Sequence, residues 1–402
     1  MAKPLYVDIN LFDDVQREIL DDGFGVQERN CIVQGCAGCG KNCIAMHIFV
    51  QLCARGNRKP IIVTSQRALV NTYLRELREI NDLAAAEYVR VAHNNAPLEW
   101  FSKNTAINTF NRGIQEGLFP KDATDLLVDE AQDFTLTEIR QMIAYFGDSL
   151  KSVHFFGDDG QQIYEGLDDG AHRVSMSDLV AIAKAVGGRD PFCRTLYDNY
   201  RLPPVIAEFV DQVEPYSRLS RKCHGDGTEK ARLLKCDATS EALDNIVRAI
   251  NARKGGMENY LAAVICQSRR CCENLFLELN RMGVGNIRRV RGPLSDQWKT
   301  YSDPDGPKTI EAISGVANGR TWRVNVVVST AFASKGLQYD DVFIVTSDFN
   351  AKGWSENVLH QMHVALTRTQ GGLIVCYTSG ENMGQVPRPF SRVAESKFKT
   401  AL

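Results

Sequence analysis

One stretch restricts this chain more than any other: Gly35-Cys36-Ala37-Gly38-Cys39-Gly40-Lys41-Asn42. It follows an apolar run at 31–34 and leads into a helical stretch at 43–53. Strand, glycine-rich turn and helix, with the spacing G-x-x-x-x-G-K, make a loop whose backbone N–H groups turn inward around a phosphate. The helix N-terminus adds partial positive charge. Gly35, Gly38 and Gly40 supply the turn, and Lys41 is spaced to reach the β- and γ-phosphates of a nucleoside triphosphate. Asn42 stands where a Ser or Thr hydroxyl normally ligates Mg2+. Its amide oxygen is a hard donor on a longer side chain, so the metal at Asn42 is expected to be held more weakly or shifted.

Further short apolar runs alternate with amphipathic helical stretches. The expected strands lie at 31–34, 60–64, 105–108, 125–129 and 152–156, then 231–236, 261–267, 324–330, 342–346 and 372–377. Leu243, Ile246, Val247 and Ile250 share one helical face over 240–252, and 272–282 behaves alike. This alternation predicts parallel sheets flanked by helices. A Gly/Pro break at 187–191 suggests two domains, 1–190 and 191–402, and 291–322 reads as a loop or small insertion in the second. At the end of one buried strand, Asp129 and Glu130 stand side by side. With the glycine loop they predict phosphoryl chemistry: Asp129 toward Mg2+, Glu130 as general base for water.

Composition narrows the setting. The 402 residues carry a net charge of −2, so any phosphate backbone must be met by a local groove. The 12 cysteines lie mostly in apolar runs. No apolar leader stands at Met1-Ala2-Lys3-Pro4, and no run reaches membrane-spanning length. The expectation is a reducing cytoplasm, buried free thiols and no membrane contact. Within the loop, Cys36 and Cys39 form C-x-x-C. Zinc would need a second pair, which Cys271-Cys272 does not convincingly supply; the stronger reading is that small residues simply fit the loop, and a redox switch is the weaker one.

Several short motifs occur in order along nearly the whole chain. They are Gln16 upstream of the glycine loop, Ile61-Ile62-Val63-Thr64 followed by Leu69, Asn108-Thr109-Phe110, and Asp129-Glu130-Ala131-Gln132-Asp133. Gly157-Asp158-Asp159-Gly160-Gln161-Gln162-Ile163-Tyr164, Asn199-Tyr200-Arg201, Ala333-Ser334-Lys335-Gly336-Leu337-Gln338 and Val364-Ala365-Leu366-Thr367-Arg368 follow. Together they resemble the UvrD/Rep-like superfamily 1 DNA helicases. The resemblance implies two RecA-like P-loop domains of α/β class, each a mainly parallel sheet flanked by helices, with an ATP cleft between them. It also implies Gln16 reading adenine, Gln161 and Arg201 at the γ-phosphate, Tyr200 on the base, Gly336 and Gln338 near the nucleotide, and Arg368 as the arginine finger. Thr64, Phe110, Tyr164 and Phe332, with Arg67, are candidate contacts to a single strand, and plain core packing is the alternative for Phe110. The Arg288-Arg289-Val290-Arg291 cluster is a further candidate for phosphate contact, or a solvated strand end.

The pattern departs from that family in places. There is no room for the first of the family's large accessory insertions and only 291–322 for a remnant of the second, Phe332 stands where His is usual, and Gln338 stands where Glu usually holds the ribose. The expected activity is ATP- and Mg2+-dependent translocation on single-stranded DNA, in repair, recombination or antiviral defence. The alternative is an attenuated ATP-sensing subunit that partners a nuclease or other effector. A small-molecule P-loop kinase leaves the second-half motifs unexplained.

Overall fold

The computed structural model describes residues 6–65, 69–70, 73, 77, 107–158, 174–214, 219–225, 230–254, 260–284, 287–289, 314–317, 320–323, 325–350, 354–378 and 386–394. Its first sheet comes from six short runs: β1 (Cys31–Gly35), β2 (Pro60–Thr64), β3 (Ile107–Thr109), β4 (Asp125–Asp129), β5 (Ser152–Gly157) and β6 (Phe192–Leu196). All pairings are parallel, in the order β3-β2-β4-β5-β1-β6.

Successive strand residues point to opposite faces, and both faces are apolar, as a parallel sheet covered on both sides requires. Val33, Ile62, Leu127 and Phe156 enter one core with Ile44, Ile48 and Phe49 of the helix Lys41–Ala54. Ile32, Ile61, Val63, Leu126, Val128 and Phe155 enter the other, with Ile139 and Met142 of the helix Leu136–Phe146. Thr135 and Glu138 close a reciprocal capping box at the start of that second helix.

Strand β6 was not expected. Its sequence, Phe-Cys-Arg-Thr-Leu, is half polar, and only its end residues are buried. Pairing with β1 over Cys31 to Gly35 defines it. It keeps 192–197 with the first half: the compact units are Lys3–Tyr197 and Asp198–Leu402, so the division falls beyond the Gly/Pro break.

The second unit has its own parallel sheet, from β7 (Ala231–Cys236), β8 (Ala262–Cys266), β9 (Ile287–Arg289), β12 (Val326–Thr330), β13 (Tyr339–Val345) and β14 (Thr369–Thr378). The order is β7-β14-β13-β8-β12-β9. Between β9 and β12, β10 (Ser314–Ala317) and β11 (Arg320–Arg323) pair as an antiparallel hairpin. The rest of the expected insertion, 291–313, lies outside the described residues, as do Val290 and Arg291; Arg288 and Arg289 belong to β9. Among the described residues, no helix is long and apolar enough to cross a membrane.

Candidate nucleotide-binding site

In open parallel sheets, ligands bind beyond the carboxyl ends of the strands, where strand order reverses. The first sheet reverses at β1. Register brings Thr64 beside Asp129, Asp129 beside Phe156, and Gln34 beside Gly157. The glycine loop, the paired carboxylates and the segment after β5 therefore share one edge.

The loop bends as its glycines allow. Gly38 has φ +79° and Gly40 φ +93°, left-handed values that L side chains rarely adopt. Gly40 also lies so close to Gln16 that a Cβ there would meet Nε2 at 2.5 Å. Gln16 is 3% exposed. Its Oε1 accepts from the Asp13 N–H (3.1 Å), and its Nε2 donates to the Cys39 carbonyl (2.9 Å). The amide expected on adenine thus braces the loop and closes the capping box of its own short helix. The Lys41 ammonium is buried and donates to the carbonyls of Gly35 (2.6 Å) and Cys36 (3.1 Å). Burial opposes its charge, but Cys39, Asp158 and Glu130 outweigh burial and hold its pKa above the ordinary lysine value.

Asp129 is fully buried. The Tyr73 hydroxyl donates to its Oδ2 (2.8 Å), and the Glu130 N–H donates to its Oδ1 (2.9 Å). Burial first, then the Glu130 charge, push the Asp129 carboxyl up to about 7, against Tyr73 and Lys41. Glu130 has a left-handed backbone, φ +56°, which costs about 1–3 kcal/mol and persists only where surroundings enforce it. Gln132 is one such constraint. Its Nε2 donates to Glu130 Oε2 (2.7 Å), and its Oε1 accepts from the Asp158 N–H (2.9 Å). A Cβ on Gly157 would stand 2.8 Å from that oxygen, so glycine is needed for the amide to fit. The Ser65 hydroxyl donates to Asp133 Oδ2 (2.9 Å), joining the end of β2 to the same acidic turn.

These residues suit ATP with Mg2+. Mg2+ is usually held by one or two carboxylates together with substrate phosphates and water, and desolvated carboxylates beside an ammonium are a donor set that a divalent cation relieves. Asn42, the second residue of the helix Lys41–Ala54, and Asp129 would hold it.

In the second unit, Asn199 is buried and its Oδ1 accepts from the N–H groups of Arg201 and Leu202 (2.9 Å each), fixing a tight turn. Arg201 Nη1 donates to the Thr367 carbonyl (3.3 Å). With its amide oxygen assigned toward Arg201, Gln338 would accept from Nη2 (3.0 Å) and Nε (3.3 Å). Gln338, expected near the ribose, therefore holds a guanidinium, and Gly336 (φ +76°) makes the turn before it. Tyr200 stacks on the His224 imidazole, with centroids 5.1 Å apart and planes at 18°. His224 is itself held by Asp198 (2.6 Å). Arg368 is 2% exposed; its Nε donates to the Val364 carbonyl (3.0 Å) and its Nη2 to Thr367 Oγ1 (3.2 Å).

Residues 16–167 match the AAA domain family. A curated relative, the pre-mRNA-splicing ATP-dependent RNA helicase PRP28 of Meyerozyma guilliermondii, is 22% identical over 237 residues, 58% of this chain. The chain spans 38% of that relative's length. Among solved structures, S. cerevisiae Dbp5 bound to RNA and ADP BeF3 aligns at 12% identity with TM-score 0.53, over 95% of this chain and 86% of that one. The chain has the fold of two RecA-like helicase domains.

Within that helicase fold, the structure brings Gln16, Gly35, Gly38, Gly40, Lys41, Asn42, Asp129 and Glu130 to one edge of the first sheet. Arg201, Gln338 and the Thr367-Arg368 corner meet in the second unit. Gln161, Tyr164 and Arg67 lie outside the described residues. Two expected strand contacts stand at buried positions. Phe110 is 3% exposed and packs edge-to-face on Phe134 in the core, because its side chain fills the layer over β2 and β4. Thr64 is fully buried at the end of β2. Phe332 is half-buried. Sequence reasoning missed Tyr73, which no local pattern ties to a carboxylate 56 positions away. It also missed the roles of Gln132 and His224; Gln132 sat inside a quoted motif with no task assigned.

Proposed function

We propose that the chain is an ATP-hydrolysing nucleic-acid motor that moves on single-stranded DNA. The observation that carries this reading is the shared sheet edge, where a glycine loop with its lysine faces a buried Asp-Glu pair in a helicase fold. Lys41 leaves the loop carbonyls to meet the β- and γ-phosphates, and the loop N–H groups orient them. Asp129 and Asn42 would hold Mg2+, which would supply charge neutralisation at the phosphate oxygens. Glu130, clamped by Gln132, takes the proton of the attacking water. Arg201 and Arg368 stabilise the charge that spreads over the transferred phosphoryl group, a contribution of about 10³–10⁵ in rate for an arginine finger. Gln161 is assigned to the γ-phosphate, Tyr200 to the base, and Tyr164 and Phe332 to the strand. The test is ATP turnover with no nucleic acid, single-stranded DNA or single-stranded RNA. Strong stimulation by DNA is expected; stimulation by RNA alone moves the substrate to RNA, and none by either sinks the motor.

A second reading is an attenuated ATP-sensing subunit acting through a nuclease or other effector. Asn42 favours it, as do the engagement of Gln16 with the loop and of Arg368 within its own unit. Asn42→Thr discriminates: a large gain in turnover supports attenuation, and unchanged fast turnover excludes it.

A further inference from the structure

We propose that Cys36 and Cys39 form a reversible disulfide that controls nucleotide binding by the loop carrying them. This rests on the nucleotide reading of that loop and adds its regulation.

The geometry is already close to that of the bond. The Cys39 N–H donates to the Cys36 carbonyl at 3.4 Å, closing a four-residue turn. Such a turn brings its end Cα atoms within about 7 Å, and disulfides span about 4.4–6.8 Å. The Cys36 thiol donates to the Tyr197 carbonyl at 3.9 Å. Gly38, with its left-handed backbone, lies inside the turn and gives it freedom to adjust. Cys39 is 1% exposed, whereas Cys36 is half-buried and the more accessible of the two.

The surroundings activate this pair, and they lower the Cys236 thiol beside Cys376 as well. Burial alone would raise the Cys39 thiol, but the neighbouring Cys36 and the Lys41 ammonium hold it below the ordinary thiol value. Lys41 Nζ lies 3.9 Å from its sulfur. The neighbouring Cys39 sulfur and burial raise the Cys36 thiol, so of the two sulfurs Cys39 is the more readily ionised. Elsewhere, burial pushes Cys31 up to about 12 and raises Cys53; such thiols are inert.

With a small-molecule disulfide as oxidant, Cys36 is the accessible entry point. Its sulfur attacks one sulfur of the oxidant as the Cys36 proton passes to the departing sulfur, so the oxidant's S–S bond breaks and one thiol leaves. The Cys39 thiolate then attacks the Cys36 sulfur of the mixed disulfide and expels the second thiolate. The two protein thiols are oxidised, the oxidant is reduced to two thiols, and the leaving groups take up the protons released. The bond fixes the turn with the Cys39 N–H on the Cys36 carbonyl, so that donor is withheld from a phosphate.

The test equilibrates the full chain in glutathione and glutathione disulfide buffers, alkylates free thiols and maps the peptides. A fluorescent ATP analogue is titrated into the same samples. The expected result is a Cys36–Cys39 linked peptide, an affinity at least about tenfold weaker, reversal by dithiothreitol, and a Cys36→Ser protein whose affinity no longer depends on the buffer. Absence of the linked peptide at the most oxidising ratio overturns the proposal, as does a linked protein that binds as tightly as the reduced one. Reduced protein that binds no ATP overturns the nucleotide reading and the control with it, while the peptide map still decides separately whether the bond forms. The map also separates this link from one between Cys236 and Cys376, both buried in the second sheet.

Discussion

Replacing Gln132 by Met keeps the side-chain length and removes two hydrogen bonds that hold the proposed general base. The bond from Nε2 to Glu130 is 2.7 Å long and ends on a carboxylate in a buried setting. Hydrogen bonds to charged groups are worth about 1.5–3 kcal/mol. If Glu130 relaxes from its left-handed backbone by that amount before reaction, turnover falls about ten- to one-hundredfold, at about 1.4 kcal/mol per decade. The Asp158 N–H also loses its acceptor, a cost of about 1 kcal/mol or more. In a unit of this size each kcal/mol lowers the melting temperature by about 2–4 °C. The KM for ATP should change little, because the contacts of Lys41 and the glycine loop do not involve Gln132. Steady-state ATPase assays and calorimetry on the same preparation measure both effects. Gly157→Ala pushes the same amide from its other side, through a Cβ 2.8 Å from Oε1, and should give the same kcat defect. A Gln132→Met protein with normal kcat and a lowered melting temperature would refute the clamp and leave Gln132 a purely structural residue.

Three further outcomes are expected. Arg58→Met should destabilise the first unit by about 3–5 kcal/mol near neutral pH, because it leaves the buried Asp125 carboxylate without its cation; urea unfolding measures this. Burial opposes the Asp125 charge, but Arg58, Ser152 and Thr124 hold its carboxyl below the ordinary 3.8. The stabilisation is therefore present above about pH 4 and lost as pH falls through the lowered value, so wild type and variant should converge in acid, and a gap independent of pH would contradict this. Tyr73→Phe removes a donor from Asp129 and raises its carboxyl further above about 7. The acid limb of the ATPase pH profile should then move upward by about one unit, with a higher Mg2+ requirement at pH 7; an unmoved limb would show that Asp129 does not set it. Lys41→Ala should abolish ATP binding measured by calorimetry, and retained affinity would remove Lys41 from the phosphate site.

Strands with continuous apolar patterns were legible in the sequence. Runs such as Pro60–Thr64 and Asp125–Asp129 coincide with observed strands, since a strand buried on both faces tolerates little else. The glycine loop was legible for a different reason: its chemistry is local, and strand, turn and helix are adjacent in sequence. Half-polar β6 was not legible, because its strand character comes from pairing with β1 rather than from its own residues. The same holds for Phe110, whose type suits either a stacking surface or a core; only its contact with Phe134 decides.

By itself the sequence determined the secondary structure of the apolar runs, the phosphate-type loop, and which acidic and basic residues carry the candidate chemistry. Each of these depends on neighbours within a few positions. Tertiary structure alone decided that Tyr73 supports Asp129, that Gln132 clamps Glu130 to the segment after β5, and that Gln338 holds Arg201. Those contacts join residues on different strands and loops through burial and hydrogen bonding, and a side chain gives no sign in its own segment of which distant partner the packed sheet will bring to it.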